Sequence, residues 1–305
     1  MSFKPKQTGR QLWRILWRVL LAACLLLLLT AAVKTGLFRR YLPQNLLPAP
    51  VEGQAGFALH MIDVGQGQAL LLTCGGESAM VDTGLPGTAG QVSDYLWRQG
   101  IRSLKYLFVT HPHSDHCGGA RTVLEDVGAE TLVIPEYLSP EAALATAGDW
   151  VGNTDTKIAV THTGQQFQLG DAVLSVLHPA EGNGIEDMND LSLVLLVEYS
   201  GKRLLLTGDI SQEVELQLPD MGPVDVLQVP HHGSGGSSCE AFLENLLPRY
   251  ALISCGKNND YGHPHDSVLE RLEDVGAVIH RTDREGTLVV TIREGQIAVK
   301  SENTK

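Results

Sequence analysis

From Phe57 onward the chain alternates short apolar runs with segments of helical period. The runs FALHMIDV (57–64), ALLLTC (69–74), SAMVDT (78–83), KYLFVT (105–110), TLVIP (131–135), AVLSVL (172–177), LSLVLLVEY (191–199), KRLLLTG (202–208), VDVLQV (224–229), YALISC (250–255) and TLVVTI (287–292) predict strands. Helical patterns fall over 90–99, 118–127, 140–147, 211–218, 239–246 and 266–275. Strands come first and then alternate with helices, which predicts a mixed α/β domain with two sheets. The polar, glycine-containing segment 181–190 reads as a loop.

The amino terminus carries a different pattern. Residues 19–33, VLLAACLLLLLTAAV, contain no charge. With Ile15, Leu16 and Trp17 the apolar segment approaches the roughly twenty residues a membrane helix needs, interrupted by Arg18. Lys4, Lys6, Arg10, Arg14 and Arg18 precede the run, and Lys34, Arg39 and Arg40 follow it. The basic excess ahead of the run orients the amino terminus to the cytoplasm and the rest outside. Trp13 and Trp17 suit an interfacial belt. A cleaved signal peptide is the weaker alternative, because the run ends in TAAVKTG rather than a small-residue cleavage site. A lipoprotein signal at LAAC is weaker again, because five leucines follow Cys24. The organisation expected is a cytoplasmic basic segment and signal-anchor helix (1–40), a Pro/Gly-containing linker (41–56) and a main globular domain (57–300).

Composition adds two constraints. Hydrophobic content of 43% supports a buried core. Net charge is −12, but residues 1–40 hold eight Lys/Arg and no acid, so the remainder carries fifteen Lys/Arg against thirty-five Asp/Glu, a net of −20. Such a domain lacks the overall basic character of a typical nucleic-acid binder. The five cysteines form no CxxC pair, and their odd number argues against a complete disulfide framework. The thiols read as ordinary small buried or exposed groups, with a redox-sensitive Cys117, inside the loop considered next, as the weaker alternative.

Candidate chemistry concentrates in VTHPHSDHCGG (109–119), at the end of the KYLFVT strand, where α/β proteins gather ligands. His111 and His113 can converge on one ion, and Asp115 and His116 on a second. Imidazole with carboxylate suits zinc, and also manganese or iron. Gly118 and Gly119 allow close packing where the next helix begins. Further candidates follow other strands: His178, Asp209, the pair His231 and His232, and His263 with His265. His60, His162 and His280 read as structural or surface groups.

MIDVGQGQALLL (61–72), VDTG (81–84), THPHSDHCGG (110–119), NDLSLVL (189–195), LLLTGDI (204–210), DVLQVPHHGS (225–234) and GHP (262–264) together resemble the metallo-β-lactamase superfamily. More narrowly they are similar to the hydrolase domain of ComEC-type competence proteins and its free-standing relatives. The resemblance implies a four-layer αββα sandwich with a two-metal cleft at one edge. It implies His111, His113 and His178 on a first ion, and Asp115, His116 and one of His231/His232 on a second, with Asp209 bridging. His231 is grouped with the ligands and His232 with the catalytic residues Asp115 and His263, while the choice within the pair stays open. His263 would contact a phosphate oxygen or assist the leaving group. Asp63 and Asp82 would orient strand ends or ligand histidines.

The implied cofactors are two divalent ions, zinc first and manganese as the alternative. The implied reaction is hydrolysis of a phosphodiester by a water activated between them. DNA is the leading substrate, linked to competence. A cell-wall phosphodiester such as phosphocholine-bearing teichoic acid is the alternative, and a non-catalytic membrane-tethered binding module is the rival from another class. A β-lactam hydrolase is disfavoured by the HHGS and LTGD contexts. A single spanning segment does not support DNA transport by this chain alone.

Overall fold

The computed structural model describes residues 8–34, 56–136, 140–180 and 187–301. The chain divides into two units, Met1–Leu47 and Pro48–Lys305. In the first, helix α1 runs over Thr8–Lys34. Trp13, Trp17, Leu20, Leu21 and Leu25 to Leu27 are exposed along it. Among the described residues no helix is long and apolar enough to cross a membrane. The expected span is therefore not supported here; α1 carries Arg14 and Arg18 within its length. The expected linker lies outside the described residues, apart from Gly56.

Among the described residues the second unit holds fifteen strands: β1 (Phe57–Met61), β2 (Leu70–Cys74), β3 (Glu77–Val81), β4 (Leu104–Phe108), β5 (Ala129–Pro135), β6 (Lys157–Thr161), β7 (Gln166–Leu169), β8 (Ala172–His178), β9 (Val194–Tyr199), β10 (Lys202–Leu206), β11 (Val226–Gln228), β12 (Tyr250–Ile253), β13 (Val278–Arg281), β14 (Leu288–Arg293) and β15 (Gln296–Ser301). They form an eight-stranded sheet, β15-β14-β1-β2-β3-β4-β5-β6, and a seven-stranded sheet, β13-β12-β11-β10-β9-β8-β7. Helices α2 (Ala89–Arg98), α3 (Ser114–Cys117), α4 (Ala120–Asp126), α5 (Pro140–Val151), α6 (Gln212–Glu215), α7 (Glu240–Leu246), α8 (Asp266–Asp274) and α9 (Thr282–Glu285) complete the unit.

The continuous apolar runs follow from burial on both sheet faces. In β2, Leu70 and Leu72 enter the core between the sheets, while Leu71 turns to the helix side. In β9, Leu195 and Val197 face between the sheets, and Val194 and Leu196 face α7 and α8. Period-two alternation places successive side chains in different cores. Each fully buried leucine contributes about 1.5–3 kcal/mol. Helices α2 and α4 cover the first sheet through Val92, Leu96, Val123 and Leu124. Helices α7 and α8 cover the second through Phe242, Leu243, Val268 and Leu272. The layers are thus helix, sheet, sheet, helix, as the resemblance implied.

Candidate metal centre

The chemistry sits where loops leave β3, β4, β10, β11 and β12. Backbone bonds tie these loops to one another within each sheet and, through Leu193, across the two. Leu193 N donates to Thr110 O (2.9 Å), Thr83 N to His116 O (2.7 Å), Gln68 N to Asp115 O (3.0 Å) and His231 N to Gly208 O (3.1 Å). The two glycines of the ligand-rich loop permit this closeness. A Cβ on Gly118 would run into the Ser114 carbonyl oxygen and the Pro86 ring, and one on Gly119 would lie 2.6 Å from Thr83 O.

Two groups of donor atoms converge, with the atoms of each within 4.8 Å of one another: His111, His116 and Asp209, and Asp115, His116 and His232. Their orientation is fixed from behind. His116 Nδ1 donates to Asp82 Oδ2 at 2.7 Å. Asp82 is fully buried and also accepts from Thr110 N (2.8 Å), Thr110 Oγ1 (2.8 Å) and Gln68 Nε2 (2.9 Å). His232 Nδ1 donates to Ser254 O at 2.8 Å. With both Nδ1 protons held by acceptors, each Nε2 points at the centre as a free donor atom. Asp209 is set by Ser192, whose hydroxyl accepts from Asp209 N (2.9 Å) and lies 3.2 Å from His111 Nδ1. Gln228 Oε1 pins the preceding turn by accepting from Thr207 N (2.7 Å) and Gly208 N (2.9 Å).

The turn after β11 is strained. His231 (φ 52°) and His232 (φ 55°) both adopt left-handed backbone and are followed by Gly233 at φ 82°. Non-glycine residues in this region cost on the order of 1–3 kcal/mol each. The turn separates the two side chains. His232 is 3% exposed, and its Nε2 lies 3.5 Å from both Asp115 Oδ2 and Asp209 Oδ2. At that length these are charge contacts rather than hydrogen bonds. His231 Nε2 is 3.9 Å from Asp209, and its side chain is half-buried at the cleft wall. The pair is thereby divided in the opposite sense to the grouping made from sequence: His232, not His231, joins the converging atoms.

The other expected ligands sit less centrally. His113 lines the cleft, with Nδ1 3.0 Å from His111 Nε2. His178 is buried at the end of β8, but its Nε2 donates to Asp190 O (2.7 Å), and neither converging group contains it. That bond leaves only Nδ1 for any ion. His263 lines the cleft, while His265 braces the fold by accepting from Gly235 N at 2.8 Å. Asp63 holds the turn after β1, where its Oδ1 accepts from Gly65 N (3.1 Å). His60 lies against Tyr95 Oη (2.8 Å) and His280 against Glu285 (3.0 Å), outside the cleft.

The cleft is a cavity of about 300 Å3. Its lining adds Gln66, Ser114, Asn189 and Tyr261, which the sequence reading did not single out. Gln66 and Asn189 fall inside the motifs MIDVGQGQALLL and NDLSLVL, so the signal was on the page without a role attached.

Electrostatics supports a cation here. Burial opposes ionisation of Asp209, yet His116 and His232 hold it well below the usual carboxylate range. Burial likewise pushes Asp115 up, but contact with His232 and the charge of His116 outweigh it and bring the carboxyl to about 2. His116 and His232 are both raised against their burial, chiefly by Asp209. His111 is driven well below its ordinary value by burial and then by His116. Burial and the neighbouring imidazoles of His232 and His231 bring His263 down to about 4. Two carboxylates in a desolvated cleft demand positive charge, and among the described residues no Lys or Arg pairs with either. Protonated imidazoles supply that charge, and a divalent cation is the other means of supplying it.

The residues fit such an ion on independent grounds. His232 Nε2 and Asp209 Oδ1 are buried with no hydrogen-bond partner, and His116 Nε2 has only the Asp209 carboxylate, 3.1 Å away. Buried polar atoms left unpaired are uncommon and expensive, and ion coordination satisfies all three. Nitrogen and oxygen donors of this kind suit zinc, manganese or iron.

Comparison with known proteins agrees with this geometry. The model of the metallo-beta-lactamase superfamily matches residues 62–257. ComE operon protein 3 of Bacillus subtilis is 34% identical over 251 residues, covering 75% of this chain and 32% of that protein. Recombination protein 2 of Haemophilus influenzae is 33% identical over 254 residues, covering 80% and 30%. The chain thus spans about a third of the length of these relatives. Among solved structures, the metallo-beta-lactamase fold protein YhfI of Bacillus subtilis superposes with a TM-score of 0.51 at 14% identity, covering 80% of this chain and 99% of that one. CmlA, a diiron beta-hydroxylase from Streptomyces venezuelae, gives 0.53 at 14% identity, covering 78% and 54%. At these identities the structural likeness speaks for the fold alone.

Proposed function

The chain belongs to the metallo-β-lactamase superfamily as a metal-dependent hydrolase, and from that premise we propose that it cleaves phosphodiester bonds outside the cytoplasm while anchored to the cell membrane. The observation that carries this reading is the convergence of buried ligand atoms on His116, His232 and Asp209, two of them without a hydrogen-bond partner, at a polar cavity. We assign one ion to Asp115, His116 and His232 and a second to His111 with Asp209, His116 serving one ion alone because its Nδ1 is held by Asp82, with zinc as the metal and manganese as the alternative. When bound, such ions polarise a phosphoryl oxygen and lower the pKa of water.

The chain's own residues then divide the remaining work. Asp82 and Ser254 fix the ring orientation of His116 and His232. The side chains of Gln66, Ser114 and Asn189 offer neutral donors to phosphate oxygens around the cleft. His231 and His263 face the same space, and burial holds both in the neutral form. His263 therefore acts as a hydrogen-bonding group at neutral pH rather than as a stored proton. A described lining without Lys or Arg favours a singly charged diester over a dianionic monoester.

The name of a further relative, competence protein ComA of Neisseria gonorrhoeae, supports a role in competence, and that of recombination protein 2 a role on DNA. The acidic domain, net −20 after residue 40, favours a second reading, a cell-wall phosphodiester. For the anchor, the reading rests on the sequence: the uncharged run 19–33, Trp13 and Trp17 and the basic excess ahead of the run favour a single pass with the hydrolase domain outside. Alkaline extraction and protease accessibility of intact cells check this.

The decisive assay is turnover of bis-p-nitrophenyl phosphate, DNA and phosphocholine esters by the full chain loaded with zinc or manganese. Asp209→Ala should lose bound metal and nearly all turnover. Undiminished turnover in metal-replete Asp209→Ala, or no cleavage of any phosphodiester by the wild type, defeats the reading. A binding module without catalysis would carry metal and cleave none of them.

A further inference from the structure

One wall of the cleft is not used by the hydrolysis just described. Tyr261 lines the cavity, yet it is 67% exposed. Its ring stacks on His263, with centroids 5.6 Å and planes 23° apart. His263 in turn lies nearly parallel to His232, at 6.3 Å and 25°. Three flat rings therefore step outward from a buried metal-facing imidazole to solvent.

An exposed loop tyrosine ordinarily has little to hold it. Here the loop is clamped. Asn259 Nδ2 donates to Gly256 O (2.9 Å) and His263 O (2.6 Å), and its Oδ1 accepts from His263 N (3.0 Å). His265 Nε2 donates to Tyr261 O at 3.3 Å. The aromatic face is presented to water in a fixed place, so covering it costs a ligand little ordering entropy.

Charge supplies the second argument. The described lining of the cavity contains no Lys or Arg, and the chain beyond residue 40 is net −20. Counterion release cannot hold a polyanion at such a surface. Beyond the scissile phosphate at the metal centre, a nucleic acid bound here needs another source of affinity, and base stacking on an aromatic face is the sequence-tolerant way to supply it.

We propose that Tyr261, backed by His263, is a stacking subsite for a nucleobase next to the scissile phosphodiester, so that the cleft takes a single-stranded end rather than a duplex. This rests on the phosphodiester reading and adds the element of substrate recognition. Duplexed bases present no free face to the ring, whereas an end base does.

The test is binding of the thymidine dinucleotide TpT, against a dinucleotide of the same backbone lacking both bases, to the full chain without added metal. The wild type should prefer TpT by about 5- to 100-fold, the range for one stacked base. Tyr261→Ala should abolish that preference, and Tyr261→Phe should restore it. The affinity should change by less than about twofold between low and moderate salt, unlike a site built on phosphate contacts. In the metal-loaded enzyme, the KM ratio between methyl p-nitrophenyl phosphate and thymidine 5′-(p-nitrophenyl phosphate) should collapse toward one in Tyr261→Ala. Equal binding of the two dinucleotides, undetectable binding of both, or a preference that survives Tyr261→Ala overturns the proposal. Base-dependent binding with no turnover of any diester would instead refute the hydrolytic reading and leave the subsite standing.

Discussion

Asp82→Asn isolates the contribution of a residue that no substrate reaches. Asp82 sits at φ 62°, a left-handed position that Asn tolerates and Ala does not, so the amide keeps the backbone and the shape. Its Oδ1 can still accept from Thr110 N. The change falls on Oδ2, which becomes an NH2 facing His116 Nδ1 across 2.7 Å. Two donors cannot share that gap, so the His116 proton moves to Nε2. A protonated Nε2 cannot coordinate an ion. The opposed Gln68 amide loses its acceptor as well. Losing a partner of this kind weakens metal binding by about 10- to 100-fold, or about 1.4–2.8 kcal/mol. At saturating metal the ion's stabilisation of the fold shrinks by the same amount, which lowers the holo Tm by about 3 to 11 °C for a domain of this size. The measurements are equilibrium dialysis against a chelator-buffered zinc series and thermal unfolding with and without metal. Affinity within twofold of wild type, with an unchanged metal-induced Tm shift, would refute the tautomer argument.

Two further outcomes follow from packing and burial. Glu215 is 3% exposed and accepts from Ser238 N and from Cys239 N (2.7 Å), yet burial raises its carboxyl to about 7 from an ordinary value of 4.5. The folded state binds the extra proton between those values, so stability is greatest below about 4.5, falls as pH rises to about 7 and is flat above. The full change is on the order of 3 kcal/mol. Urea denaturation across that range should show the slope, and Glu215→Gln should remove it. Gly118→Ala should cost about 1–3 kcal/mol by the same method, because the new methyl group meets the Ser114 carbonyl and the Pro86 ring. A neutral effect would show that the loop relaxes freely.

All eleven apolar runs of the sequence are strands or their immediate ends in the structure. The four strands the pattern missed, β6, β7, β13 and β15, are the four edges of the two sheets. An edge strand is neither covered on both faces nor paired on both sides, so it needs no continuous apolar run. Gln296–Ser301 alternates exposed and partly buried positions throughout, and Val278 in β13 is half exposed. Helix α3 was missed for a related reason: four residues carrying ligands show no helical period.

The candidate site was legible as a set of residue types at strand ends. What the chain order could not disclose was the role of each nitrogen. His231 and His232 are adjacent in sequence, and only the left-handed turn after β11 sends one inward and the other to the wall. Which ring atom of His232 is free depends on Ser254, 22 residues away. The carbonyl of Asp190 ties up His178 Nε2, although the strand-end pattern made His178 equal to the other candidates.

By itself the sequence determined the period of its apolar positions, and thereby two cores' worth of doubly buried strands, because side-chain burial is written residue by residue. It also determined the supply of imidazoles, carboxylates and paired glycines. Tertiary structure alone decided the edges, the tautomers, the direction of each histidine and the fixed exposure of Tyr261. Those depend on partners remote in the chain, and a hydrogen bond or a steric limit acts on distance in space, which no spacing along the chain records.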